Sequence, residues 1–123
     1  MADKAYVRKT YNKLVRDNVP GIIRTKGEVA VCRALSEVEF RRELFKKVIE
    51  EVGELEAADP YTPGKVWDEF ADVYETLEAL RGLLGVSKRD IEERQRIKRQ
   101  QRGGFAKRLL LEYTEGPEVL RRQ

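Results

Sequence analysis

Two runs of apolar residues at helical spacing, separated by one short break carrying two prolines, constrain this chain more than any other feature. Phe40, Leu44, Val48 and Leu55 recur at turn-like intervals up to Asp59-Pro60, and Val66, Phe70, Val73, Leu77, Leu80 and Leu84 do so between Pro63 and Gly85. Apolar residues at that period share one face of an α-helix. Ser36 followed by Glu39 is a capping box that predicts the start of the first helix, while Thr62-Pro63 supplies a cap and a first-turn proline for the second. A link this short makes the two helices antiparallel neighbours, so the expected fold is mainly all-α, an antiparallel helix bundle.

The remaining elements are arranged around that pair. Residues 20–26 predict a short helix closed by Gly27, and Ser87 with Asp90 caps a strongly basic helix from Lys88 to about Gln101, ended by Gly103-Gly104. Residues 29–35 and 105–113 read as strands that would pair into a small two-stranded sheet beside the helices. At 123 residues, one domain over 1–115 with a loosely held tail over 116–123 is expected.

Composition removes several kinds of chemistry. Cys32 is the single cysteine and histidine is absent, which excludes an intrachain disulfide, a multi-thiolate zinc site and the commonest general base. No run approaches the roughly 18 apolar residues of a membrane span, and residues 1–11 lack the apolar core of a signal peptide, so a cytoplasmic protein without a membrane partner is expected. The net charge of +3 hides a segregation. Residues 1–36 hold eight Lys/Arg against three Asp/Glu, residues 37–80 five against thirteen, and residues 81–123 twelve against six. An acidic centre between basic flanks suits a cation-bridged polyphosphate, and it equally suits three solvated helix faces of unequal charge.

The position of the acids within the helical pattern bears on both readings. Glu51 falls inside the apolar arc that Phe40, Leu44, Val48, Val52, Leu55 and Ala58 form, with Glu54 at the edge of that arc and Glu50 one step further out. Glu69 borders the arc of the partner helix and Asp72 lies one turn along from it. Carboxylates desolvated together repel one another, and a hard, oxygen-seeking divalent cation such as Mg²⁺ relieves that cost. Glu50, Glu54 and Glu69 could instead pair along their own helices with lysines such as Lys46 and Lys47, but that account leaves Glu51 inside an apolar stripe.

The run Glu50-Glu51-Val52-Gly53-Glu54, followed by Glu69-Phe70-Ala71-Asp72, resembles the E-E-x-x-E and E-x-x-D signature of the all-α nucleoside triphosphate pyrophosphatases. That superfamily includes the MazG-like enzymes, the dimeric dUTPases and phosphoribosyl-ATP pyrophosphohydrolase. Tyr11-Asn12-Lys13-Leu14-Val15-Arg16-Asp17 and Arg102-Gly103-Gly104-Phe105 are similar to flanking motifs of a small MazG-like branch, from which Asn18 and Gly21 depart. The resemblance implies Glu51, Glu54, Glu69 and Asp72 as ligands of Mg²⁺, with Mn²⁺ as a substitute. It makes Glu50 an additional ligand or the group that orients water for attack on the α-phosphorus, pyrophosphate leaving.

Phosphate binding would fall to Lys13 and Arg16, with Lys98 and Arg102 from the basic helix and its end, since Arg presents a fork and Lys a compact charge. Tyr11 and Asn12 are candidates for base or sugar contact; Trp67 and Tyr74 could stack on a base or belong to the core. The resemblance also implies a homodimer or homotetramer and leaves phosphoribosyl-ATP open as the substrate. A nucleic-acid-binding module, suggested by the basic helix and a pI near 9.0, is the lesser alternative because it leaves the inward-facing acids unexplained.

Overall fold

The structure is a computed structural model that describes residues 5–118. It contains four helices in chain order: α1 (Val19–Thr25), α2 (Glu37–Ala57), α3 (Pro63–Leu84) and α4 (Lys88–Arg102). The chain forms two compact units, Met1–Ser87 with the first three helices and Lys88–Gln123 with α4. No helix among the described residues is long and apolar enough to cross a membrane.

In the first unit α2 and α3 pack along one another. Leu44 on α2 and Val73 on α3 are buried in their seam, as the apolar arcs predict. Other members of those arcs remain open: Val52 and Phe70 are each 47% exposed and Leu77 is 45% exposed. Trp67 and Tyr74 also face outward, Tyr74 with its ring edge-on to Phe70 at 6.4 Å, so neither belongs to a closed core.

Local chemistry sets the helix ends. The Glu39 backbone N–H donates to Ser36 Oγ at 3.2 Å, and the Glu39 carboxylate reaches back to the Ser36 backbone N–H at 3.4 Å, completing the capping box. Thr62 precedes α3 without capping it; its hydroxyl donates instead to Asp59 Oδ2 at 3.1 Å, and Asp59 Oδ1 accepts from the Tyr61 backbone N–H at 2.9 Å. The link is therefore turned by Asp59, with Pro63 opening the helix. At the far end Gly85 adopts φ +67°, and the Val86 N–H returns to the Arg81 carbonyl at 3.2 Å, a left-handed stop that a β-carbon would strain.

The expected sheet is not formed: no described residue is in a strand. Within 29–35, Val29 and Val31 are 83% and 92% exposed, and within 105–113 Leu109 and Leu111 are 84% and 78% exposed. Neither segment has a buried face, and alternating β-formers do not make a ladder without one. α4 in the second unit buries no residue and ends at Gly103, φ +79°. Of the expected tail, residues 119–123 lie outside the described residues.

The capping box has a pH signature. The Arg33 guanidinium, bonded to Glu39 Oε2 at 2.9 Å, together with the Ser36 donors, lowers the Glu39 carboxyl from 4.5 to about 2. A depressed folded-state pKa contributes stability that is complete above the unfolded value and is lost as pH falls through the folded one. Glu39→Gln should therefore lower the thermal midpoint above about pH 4.5 and converge with the wild type as pH falls to about 2. Parallel midpoint curves across that window would show that the box contributes nothing through ionisation.

Candidate functional site

Glu51 and Glu69 lie about equally far from the turn at Asp59-Pro60, so the antiparallel hairpin brings them together at the seam. Both are buried, at 6% and 8% exposure. Glu51, Glu69 and Asp72 each place a carboxylate oxygen within 4.8 Å of the others, and Glu50, Glu51 and Glu54 do the same. Glu51 belongs to both groups, so all five acids singled out in the sequence converge around it.

The cations around this cluster are of two kinds. Lys47, one turn before Glu51, sits 3.2 Å from Glu51 Oε1 and 3.6 Å from Glu50 Oε1, its side chain only 22% exposed. Lys65 stands in the same relation to Glu69, at 3.7 Å. The other two arrive from the amino-terminal segment: Lys13 Nζ donates to Glu50 at 3.0 Å and Arg16 Nη2 to Asp72 at 2.6 Å. The segment is thus attached to the acids of both helices.

These cations do not satisfy the cluster. Glu51 Oε2 and Glu69 Oε2 are buried with no hydrogen-bond partner. A buried carboxylate oxygen without a donor costs free energy unless another positive group reaches it. Burial raises the Glu51 carboxyl above the ordinary range, the nearby charges of Glu54 and Asp72 add to this, and Lys47 opposes it. At Glu50 burial also acts upward, yet the Lys13 hydrogen bond and the Lys47 charge prevail and lower its pKa. Lys13 is raised in return, chiefly by its bond to Glu50. An acid set with orphaned oxygens, supplied by facing helices and confined to oxygen donors, fits a hard divalent cation.

Beside the cluster, residues 12–14 and one face of α2 enclose a cleft of about 340 Å³, lined by Asn12, Lys13, Leu14, Glu43, Lys46, Lys47 and Glu50. Asn12 takes φ +48°, a left-handed conformation that Asn tolerates better than most residues. Two of the expected anion-binding residues, Lys13 and Arg16, thus stand at the acids, and Asn12 lines the cleft. Lys98 and Arg102 lie on α4 in the second unit. Sequence reasoning treated Lys47 as a surface partner and overlooked Lys65; their positions four residues before Glu51 and Glu69 were the available signal.

No known family profile matches the chain, and no solved structure matches it. Over 47 residues it is 49% identical to an uncharacterized protein of Mycolicibacterium smegmatis, a stretch covering 38% of this chain and 48% of that one. The match thus spans about half the length of the relative.

Proposed function

We propose that this protein is a divalent-metal-dependent nucleoside triphosphate pyrophosphohydrolase, converting an NTP or dNTP and water to the monophosphate and pyrophosphate. The observation that carries the reading is the meeting of Glu51, Glu69 and Asp72, with a buried, donorless oxygen on each of the two glutamates. The resemblance to the all-α pyrophosphatases supplies the reaction. Glu51, Glu54, Glu69 and Asp72 hold Mg²⁺, or Mn²⁺ in its place. When bound, such an ion supplies a Lewis acid that offsets the charge building on phosphoryl oxygens.

The remaining roles belong to the chain's own groups. Glu50 orients the attacking water. The water oxygen bonds to the α-phosphorus, the bond from that phosphorus to the α–β bridging oxygen breaks, and its electron pair leaves with pyrophosphate, the water's protons passing to solvent. Lys13 and Arg16 exchange their carboxylate partners for phosphate oxygens, and Asn12 offers its amide to the nucleotide. A second copy of the chain completes the apolar surface, giving a homodimer or homotetramer.

A panel of canonical, deoxy and damaged nucleotides and phosphoribosyl-ATP, incubated with Mg²⁺ and resolved by product, tests the reaction. Pyrophosphate release from at least one member is expected; orthophosphate alone, or no product, overturns it. Metal binding has its own readout. At a concentration 100 times its dissociation constant, Mn²⁺ should stabilise the fold by about 2.7 kcal/mol. A thermal midpoint indifferent to millimolar Mn²⁺ would remove the metal site.

A further inference from the structure

The cleft beside the acid cluster is walled by Lys13 and by two further cations, Lys46 and Lys47, that the hydrolase reading, on which this inference rests, leaves without a task. Lys46 and Lys47 project from α2 and Lys13 faces them from the amino-terminal segment, with Glu43 and Glu50 between. Glu43 is held by Lys46 at 3.2 Å and by Arg42 at 3.8 Å, and Glu50 by Lys13 and Lys47, so each acid in the wall has two cationic partners. An ammonium has three donors, so Lys13 and Lys46 with one carboxylate partner each, and Lys47 with two, all keep a donor for an anion. At about 340 Å³ the cleft is at the small end of the range for ligand sites, roughly 300–1,000 Å³.

Lys47 joins this cleft to the acids. It lines the cleft, yet its ammonium lies against Glu51, the most buried acid of the cluster. A Glu51 carboxylate committed to a divalent cation no longer needs Lys47 as its counter-ion, and the two positive charges repel. The side of Lys47 that remains open to a polar ligand is the cleft. We propose that this cleft is the seat of the departing pyrophosphate, with Lys47 as its central contact and Lys46 as an outer one. The scissile bond delivers an electron pair to the bridging oxygen of pyrophosphate, and a lysine there neutralises it as the bond breaks. The seat takes inorganic pyrophosphate and the terminal phosphates of any triphosphate, whatever the base.

The test is calorimetric titration of the full chain with inorganic pyrophosphate in Mg²⁺, beside a separate titration with Mn²⁺ alone. For Lys47→Gln, pyrophosphate affinity should fall by about tenfold or more, the scale of a lost charge-assisted hydrogen bond. Its Mn²⁺ affinity should hold or tighten, because a competing cation has left Glu51. Lys46→Gln, a change at a side chain 66% exposed, should weaken pyrophosphate by a smaller factor, and Lys47→Arg should restore most of the binding. Unchanged pyrophosphate affinity in both glutamine variants overturns the seat. So does a parallel loss of Mn²⁺ affinity, which would make Lys47 a support for the acids only. A wild-type chain that binds pyrophosphate through Lys47 but releases none from any nucleotide keeps the anion seat and overturns the hydrolase reading instead.

Discussion

Glu51→Gln should reduce pyrophosphate release by about three orders of magnitude in kcat/KM, equivalent to several kcal/mol of transition-state stabilisation. The same variant, free of metal, should unfold at a higher temperature than the wild type. Both expectations follow from the placement of one carboxylate. Glu51 is shared by the two acid groups, so its loss opens both, and its Oε2 is one of the two oxygens left without a donor. Its pKa is raised by burial. A raised folded-state value makes the ionised group unfavourable in the fold, so its favourable contribution exists below the unfolded pKa and is lost as pH rises through the folded one. At neutral pH an isosteric amide removes that cost and forfeits the Lys47 pairing at 3.2 Å. The balance should raise the midpoint by roughly 2–5 °C, the scale of about 1 kcal/mol or less in a chain this size. Asp72→Asn should lose activity similarly, with a smaller gain in stability because Asp72 is more exposed and bonded to Arg16. Wild-type turnover in either variant would show that the acids are not the ligands. A destabilised Glu51→Gln would show that the Lys47 pair outweighs the desolvation.

Much of this site was visible in residue order because helices repeat. An acid inside an apolar stripe can be recognised from sequence alone, and the hairpin link then fixes which residues of the next helix it meets. Arg16 and Asp72 are a different matter: they are 56 positions apart, and no local periodicity connects an irregular segment to a helix. Lys47 was open to two readings by the i, i+4 rule, a solvated pair or a buried one, and only the packing of α3 over Glu51 decides between them. Residues 29–35 and 105–113 misled for the same reason in reverse. Their β-forming composition says what they could pair with, but a strand needs a buried face, and none is supplied.

Self-association should be as large an effect as the loss of activity. Leu44 and Val73 are the buried apolar side chains among the described residues, a very small core for two helices of this length. Each helix leaves apolar side chains at heptad-like spacing open, some of them members of the seam arcs themselves: Val38, Phe45, Ile49 and Val52 on α2, and Trp67, Phe70, Tyr74, Leu77 and Leu84 on α3. Exposed apolar side chains at this spacing are expected to be covered by a second copy, and a helical hairpin meets a second hairpin most economically as a four-helix bundle. The chain should therefore sediment at twice its 14.3 kDa or more at micromolar concentration, with a thermal midpoint that rises with protein concentration. Ile49→Glu is the sharpest probe, because Ile49 is 73% exposed and outside the seam that holds Leu44 and Val73, so within one chain the substitution costs little. In an assembly it buries a charge against apolar groups. Loss of the larger species together with a strongly lowered midpoint is the expected result. A wild-type chain that sediments as a monomer with a concentration-independent midpoint would mean that the hairpin is stable with these side chains facing water.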